Sequence, residues 1–113
     1  MCIYLFGFIF HVMRPEVQRL VQLGPLPSET GASPERVRRF EQSYRAIDRP
    51  VTDDEARALV TLFGDDGCFG LASSLVNLIE TAPGWPLKDC LTNTRNAWVA
   101  ELRNRAVRGG LIQ

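Results

Sequence analysis

Apolar residues recur along this chain at the spacing of helices rather than strands. Pro15 to Leu23 (PEVQRLVQL) begins with proline at a first-turn position and stops at Gly24, and Val17, Leu20 and Val21 share one face. The next ten residues, GPLPSETGAS, concentrate Pro, Gly and Ser and read as an exposed loop. Ser33-Pro34-Glu35 opens a second helix, with Ser33 as N-cap and Pro34 in the first turn. Its apolar stripe is Val37, Phe40, Tyr44 and Ile47, and Asp48-Arg49-Pro50 ends it. Thr52-Asp53-Asp54-Glu55 fits a capping box, in which Thr52 and Glu55 each satisfy the other's free backbone N–H. The helix behind it presents Ala56, Leu59, Val60 and Phe63, and Gly64 closes it.

The stretch GDDGCFGLASSLVNLIETAPGWP, Gly64 to Pro86, is the most distinctive. It predicts a helix over 67–82, with Cys68, Phe69, Leu71, Ala72, Leu75, Val76, Leu78 and Ile79 on an apolar arc about half the circumference wide. So wide an arc belongs to a central helix touched by several neighbours. Pro83-Gly84 breaks it, residues 86–91 make a short helical turn, and a last helix runs from about Thr94 to Arg108 with Ala97, Trp98, Leu102 and Ala106 inward. No stretch sustains a two-residue alternation, and no Asn-Gly or Asp-Gly hairpin joins strand-like runs. The expectation is all-α: a compact single-domain bundle of about five helices over 14–108, with 109–113 as a tail. Paired helices with short loops also fit a small helical-repeat-like stack.

The apolar leader, residues 1–13, stands apart. Its run MCIYLFGFIF is about half the roughly 20 residues a membrane helix needs, and it lacks the basic start and small-residue cleavage site of a signal peptide. Two readings stay open: a strand or arm packed on the domain, or upstream sequence read from a wrong start, with Met13 as the true first residue.

Totals narrow the function. Thirteen basic and thirteen acidic residues cancel, so no net field draws the chain to nucleic acid or anionic lipid. Lys88 is the only lysine, an Arg bias that matches a GC-rich bacterial genome. Three cysteines without CxxC spacing and a single histidine, His11, supply neither a disulfide framework nor a zinc site. They suit a reduced cytoplasmic interior. No cofactor is expected.

Individual residues then sort by what their neighbours allow. Cys68 sits where a helix N-terminus could activate a thiol, but Asp65 and Asp66 beside it oppose a thiolate, so a small buried hydrophobe is the better reading. Cys90, with Leu87 and Leu91, reads the same way. The pairs Asp53-Asp54 and Asp65-Asp66 lie at predicted helix starts and lack calcium-loop spacing, which favours capping over metal binding or acid–base work. Arg36, Arg38, Arg39 and Arg45, and Arg95, Arg103, Arg105 and Arg108, are interleaved with Glu35, Glu41 and Glu101, as on a solvated helix face. Trp85 is either a core plug or a binding anchor. The face formed by Gly70, Ser73, Ser74 and Asn77 is either a close helix-packing groove or a wet contact surface. No nucleophile, base and orienting group come together, so an enzyme is not expected.

The run Thr52 to Pro86, TDDEARALVTLFGDDGCFGLASSLVNLIETAPGWP, resembles a segment of small single-domain helical proteins of actinobacterial type, some of them similar to immunity proteins paired with polymorphic toxins. The similarity lies in Asp65-Asp66, Cys68 to Leu71, the Leu-Ile-Glu-Thr-Ala-Pro at 78–83 and Trp85-Pro86. Larger polar or aromatic residues are common in those proteins where this chain has Ser73, Ser74 and Asn77. The resemblance carries no catalytic residues. It implies a non-enzymatic protein-binding module that neutralises a toxin by occlusion. Trp85, Ser73, Ser74, Asn77, Arg95 and Arg103 are the candidate contact residues. The alternative is a small regulatory protein contacting nucleic acid through its Arg-rich helix faces.

Overall fold

A computed structural model describes residues 13–112. The two readings of the apolar leader, and with them Cys2 and His11, fall outside the described residues. The rest is all-helical: α1 (Pro15–Gln22), α2 (Pro34–Arg45), α3 (Asp53–Val60), a 3-10 turn (Cys68–Gly70), α4 (Leu71–Ile79), a second 3-10 turn (Lys88–Cys90) and α5 (Ala97–Arg108). No strand occurs among the described residues.

The helix starts follow local chemistry. Ser33 caps α2 by accepting the Arg36 N–H at 3.2 Å, with Pro34 behind it. The capping box at α3 is complete: Thr52 Oγ1 accepts the Glu55 N–H at 3.1 Å and Glu55 Oε1 accepts the Thr52 N–H at 2.8 Å. The last helix begins later than the sequence predicts. It starts at Ala97, and Asn96 caps it, its Oδ1 accepting from the Trp98 and Val99 N–H groups at 2.9 and 3.2 Å. The same side chain donates from Nδ2 to the carbonyls of Phe63 and Gly64, both at 3.2 Å, which ties α5 to the end of α3. At the other end Gly110 is left-handed (φ 73°) just past Gly109, the geometry that stops a helix, but the tail continues inward and Ile112 is buried.

Packing runs from α2 to α1, α1 to α3, α3 to α4 and α4 to α5. Helix α4 is central: Ala72, Leu75, Val76, Leu78 and Ile79 are all buried, and Leu71 and Leu75 also meet Leu20, Phe40 and Tyr44 of the α1–α2 pair. Phe40, Leu59, Leu91 and Leu102 are wholly buried around it. The loop after α1 is not fully exposed, contrary to its composition. Leu26 is buried, its N–H donates to the Leu62 carbonyl at 2.8 Å, and its own carbonyl lies against Gly64, where a β-carbon would collide with it.

Among the described residues one charged side chain is fully buried. Glu55 accepts four hydrogen bonds: from Thr52 N, and from Arg14 through its backbone N (2.9 Å), Nε (3.1 Å) and Nη2 (3.1 Å). This carboxylate therefore joins the start of α1 to the start of α3, residues 41 positions apart.

Candidate functional site

The predicted 67–82 helix is two elements, and the break between them creates the surface of interest. Asp66 Oδ1 accepts the Cys68 N–H at 3.0 Å, a local turn that competes with helix continuation. Cys68 and Phe69 then take positive φ (44° and 55°), Gly70 follows at 90°, and α4 begins only at Leu71. Left-handed backbone costs a residue with a side chain about 1–2 kcal/mol. The turn is held in place by a second clasp: Asp66 Oδ2 accepts the Glu29 N–H and Glu29 Oε1 accepts the Phe69 N–H, both at 2.9 Å. Asp66 therefore caps the turn rather than α4, and Asp65 stays exposed. The other pair departs from capping too. Asp53 Oδ1 accepts the Gly84 N–H at 2.7 Å, and Asp54 pairs with Arg57 at 3.1 Å.

Cys68 is fully buried, as expected of a packing residue, and burial first, then the charges of Asp66 and Glu29, push its thiol above the ordinary range. Phe69 corrects the helical-wheel expectation. Its ring is 62% exposed because the reversal of backbone hand turns it away from the arc it shares on paper with Leu71 and Ala72.

Between α4 and α5 lies a cleft of about 580 Å³. Gly67, Ser73 and Ala97 give it small-residue walls, and Val76 and Trp98 give it apolar ones. Trp98 is fixed from behind: it stacks on Phe63 (ring centres 6.2 Å apart, planes at 13°) and its indole N–H donates to the Asp66 carbonyl at 3.2 Å. At the far end Arg105 makes a two-pronged pair with Glu80, Nε to Oε2 at 2.9 Å and Nη2 to Oε1 at 2.8 Å, and Glu101 accepts from Arg108 at 3.0 Å. The Arg105–Glu80 pair clamps the end of α4 to α5, whereas the Glu101–Arg108 pair lies within α5. Ser73 and Asn77, one turn apart on α4, are exposed in the cleft, and their side chains bond to no other described residue. A hydroxyl and a carboxamide on one face can both donate and accept, which suits a peptide group of an incoming chain.

The six sequence candidates divide. Ser73 and Asn77 line this cleft, whereas Ser74, about 100° further round α4, lines a second recess against α2 with Tyr44, Leu71 and Phe69. The small-residue face is thus split between two recesses. Trp85 is half-buried against the core in the loop after α4 and lines neither. Arg95 is exposed in the turn before α5, and Arg103 is exposed about 160° round α5 from Arg105, outside the cleft. Trp98 and Arg105 are the contact-competent residues that a core-stripe reading overlooks. Their signal is the run Trp98, Glu101, Arg105, Arg108, whose three- and four-residue spacing marks a second face of α5.

Half of the eight Arg residues on these faces are paired with carboxylates. Arg39 pairs with Glu35, Arg45 with Glu41, Arg105 with Glu80 and Arg108 with Glu101. Among the described residues no group of His, Cys, Asp and Glu is placed to hold a metal ion, and no helix is long and apolar enough to cross a membrane. Together these features define an all-helical domain with a preformed recess beside its central helix. Comparisons with protein-family models, curated proteins and solved structures find no match.

Proposed function

We propose that the chain is a non-enzymatic protein-binding module whose α4–α5 cleft receives a segment of a partner protein. The single observation behind this reading is the cleft itself: a preformed recess in which a rigidly held Trp98 faces exposed, uncommitted Ser73 and Asn77. An aromatic wall flanked by adaptable polar groups is the composition of a recognition surface. At its edge the Arg105 guanidinium is engaged with Glu80, which fixes α4 against α5, and Glu101 is engaged with Arg108 on its own helix. The resemblance of residues 52–86 to immunity-type proteins gives the partner its class, a toxin neutralised when the domain covers its active groove. The chain's balanced charge, together with the ion pairs of Arg39, Arg45, Arg105 and Arg108, weighs against the nucleic-acid alternative.

The test is protection. The C-terminal domain of a toxin encoded directly upstream is expressed in a susceptible host with and without this chain. Growth should be restored by the wild type and lost with Asn77→Arg or Ser73→Trp, which fill the cleft without touching the core. Protection that persists in both variants would remove the cleft from the account. Absence of protection by the wild type would remove the toxin-neutralising function.

A further inference from the structure

The Phe69 turn supports an inference independent of the α4–α5 cleft. Its ring is the most exposed large apolar side chain of the described residues, yet it does not project from a loose loop. The Asp66–Glu29 clasp fixes its backbone from two directions in a conformation that favours glycine. A large apolar side chain held outward against local preference is poorly explained by folding alone. Two recesses flank the ring, one of about 400 Å³ bordered by Val37, Tyr44 and Leu71, the other of about 350 Å³ bordered by Ala32, Pro34 and Arg38.

Charge around the ring has both signs. Across one recess stands Arg38, exposed and without an ion-pair partner among the described residues, while Glu41 and Arg45, which also border the recesses, are paired with each other. At the ring's own backbone stand Glu29 and Asp66, with exposed Asp65 next in sequence. A partner of a single sign would be repelled by one edge. A copy of the same face turned by 180° sets the basic edge of each molecule against the acidic edge of the other, the self-complementarity that a two-fold interface requires. We propose that the chain forms a two-fold dimer through this face, each Phe69 ring entering the recess between α2 and α4 of the second copy.

Sedimentation of the full chain across a wide concentration range tests this directly. The expected result is a reversible monomer–dimer equilibrium that weakens with salt. Phe69→Gly suits the left-handed backbone and should leave the monomer folded, while weakening the dimer by about 30-fold or more, as for a central interface anchor. Phe69→Ser serves as a second variant should the glycine loosen the turn. Arg38→Glu and Asp65→Arg should each weaken the dimer, and the double exchange should recover much of the loss, because each copy then presents the reversed pair. A chain that stays monomeric at every concentration overturns the proposal. So does a dimer indifferent to Phe69, or a double exchange no better than its parents. Capture of a different protein by the Phe69 face of a monomeric chain also counts against it.

Discussion

Replacing Glu55 by glutamine perturbs the one fully buried charge of the described residues, and its effect follows from four hydrogen bonds. The carboxylate accepts from Thr52 N, Arg14 N, Arg14 Nε and Arg14 Nη2 at 2.8–3.1 Å. Glutamine keeps the shape but exchanges one acceptor oxygen for an NH₂ group, which meets the Arg14 donors head-on. Hydrogen bonds to a charged group contribute about 1.5–3 kcal/mol, and breaking a buried pair by removing one partner costs about 3–5 kcal/mol. The Arg14 side chain is 36% exposed and can partly rehydrate, so the lower part of that range applies, about 3 kcal/mol. A domain of this size has roughly 5–15 kcal/mol in total. Urea unfolding followed by circular dichroism should therefore show a large fall in midpoint with little change in slope.

The pH dependence is a second, independent readout. Burial alone would raise the Glu55 carboxyl, but the Arg14 guanidinium and the backbone N–H groups of Thr52 and Arg14 outweigh it and leave it below the ordinary value. The unfolded chain then binds this proton more readily than the folded one. The stabilisation is complete above the unfolded value of about 4.3 and disappears as pH falls through the lower folded value. Glu55→Gln has no such proton to bind, so its deficit should be full at neutral pH and shrink progressively below about pH 4. Arg14→Ala removes the main force that holds this carboxyl down, so the acid loss of stability due to Glu55 should shrink or vanish. A glutamine variant within about 0.5 kcal/mol of wild type, the range of ordinary surface changes, would refute the reasoning, as would a deficit that is constant down to strongly acid pH.

Three further outcomes test other joints of the fold. Gly64→Ala places a β-carbon against the Leu26 carbonyl, a backbone atom that cannot swing aside, and should cost about 1–3 kcal/mol in thermal unfolding; an unchanged melting temperature would mean the loop does not dock there. Phe69→Gly relieves a left-handed residue whose ring is mostly in water, so monomer stability at low concentration should hold or rise by up to about 1 kcal/mol, and a marked loss would show that the ring is packed. Cys68 should resist thiol reagents in the native state at neutral pH, because it is fully buried and its thiol is pushed upward, while the less buried Cys90 reacts first; rapid native labelling of Cys68 would reopen it as a nucleophile.

What could be read from the sequence was whatever is decided within one helical turn. Ser33-Pro34 and Thr52-x-x-Glu55 announce α2 and α3 because cap and capped group are three residues apart. The central position of α4 follows from the width of its apolar arc. What escaped is set by partners far along the chain. Nothing near Glu55 shows that Arg14 will complete its site, and nothing near Phe69 shows that Glu29, 40 residues earlier, will take its N–H. A helical wheel drawn through 67–82 assumes a continuous helix, so it places Phe69 inside. Once Asp66 captures the Cys68 N–H, the wheel no longer applies to that turn. The candidate surface was missed in part for the same reason: Ser73, Ser74 and Asn77 look like one strip until α2 and α5 take up positions on either side of it.

That division of α4 has a functional consequence. Ser73 and Asn77 open toward α5, whereas Ser74, Gly70 and the Phe69 ring open toward α2, so one short helix forms a wall of two separate recesses. Helices this short gain little stability by themselves, and their ends are held here by side chains from elsewhere. The Arg105–Glu80 pair clamps the far end of α4 to α5, and the Asp66–Glu29 clasp holds the turn before α4. A partner in the α4–α5 cleft and a second copy at the Phe69 face would therefore meet preformed surfaces on two neighbouring faces of the same element. Neither would have to displace the other. Within the proposed reading, this gives a physical reason for a small domain to hold a strained aromatic turn outside its core. In that reading, self-association would use the side of α4 that partner recognition leaves free.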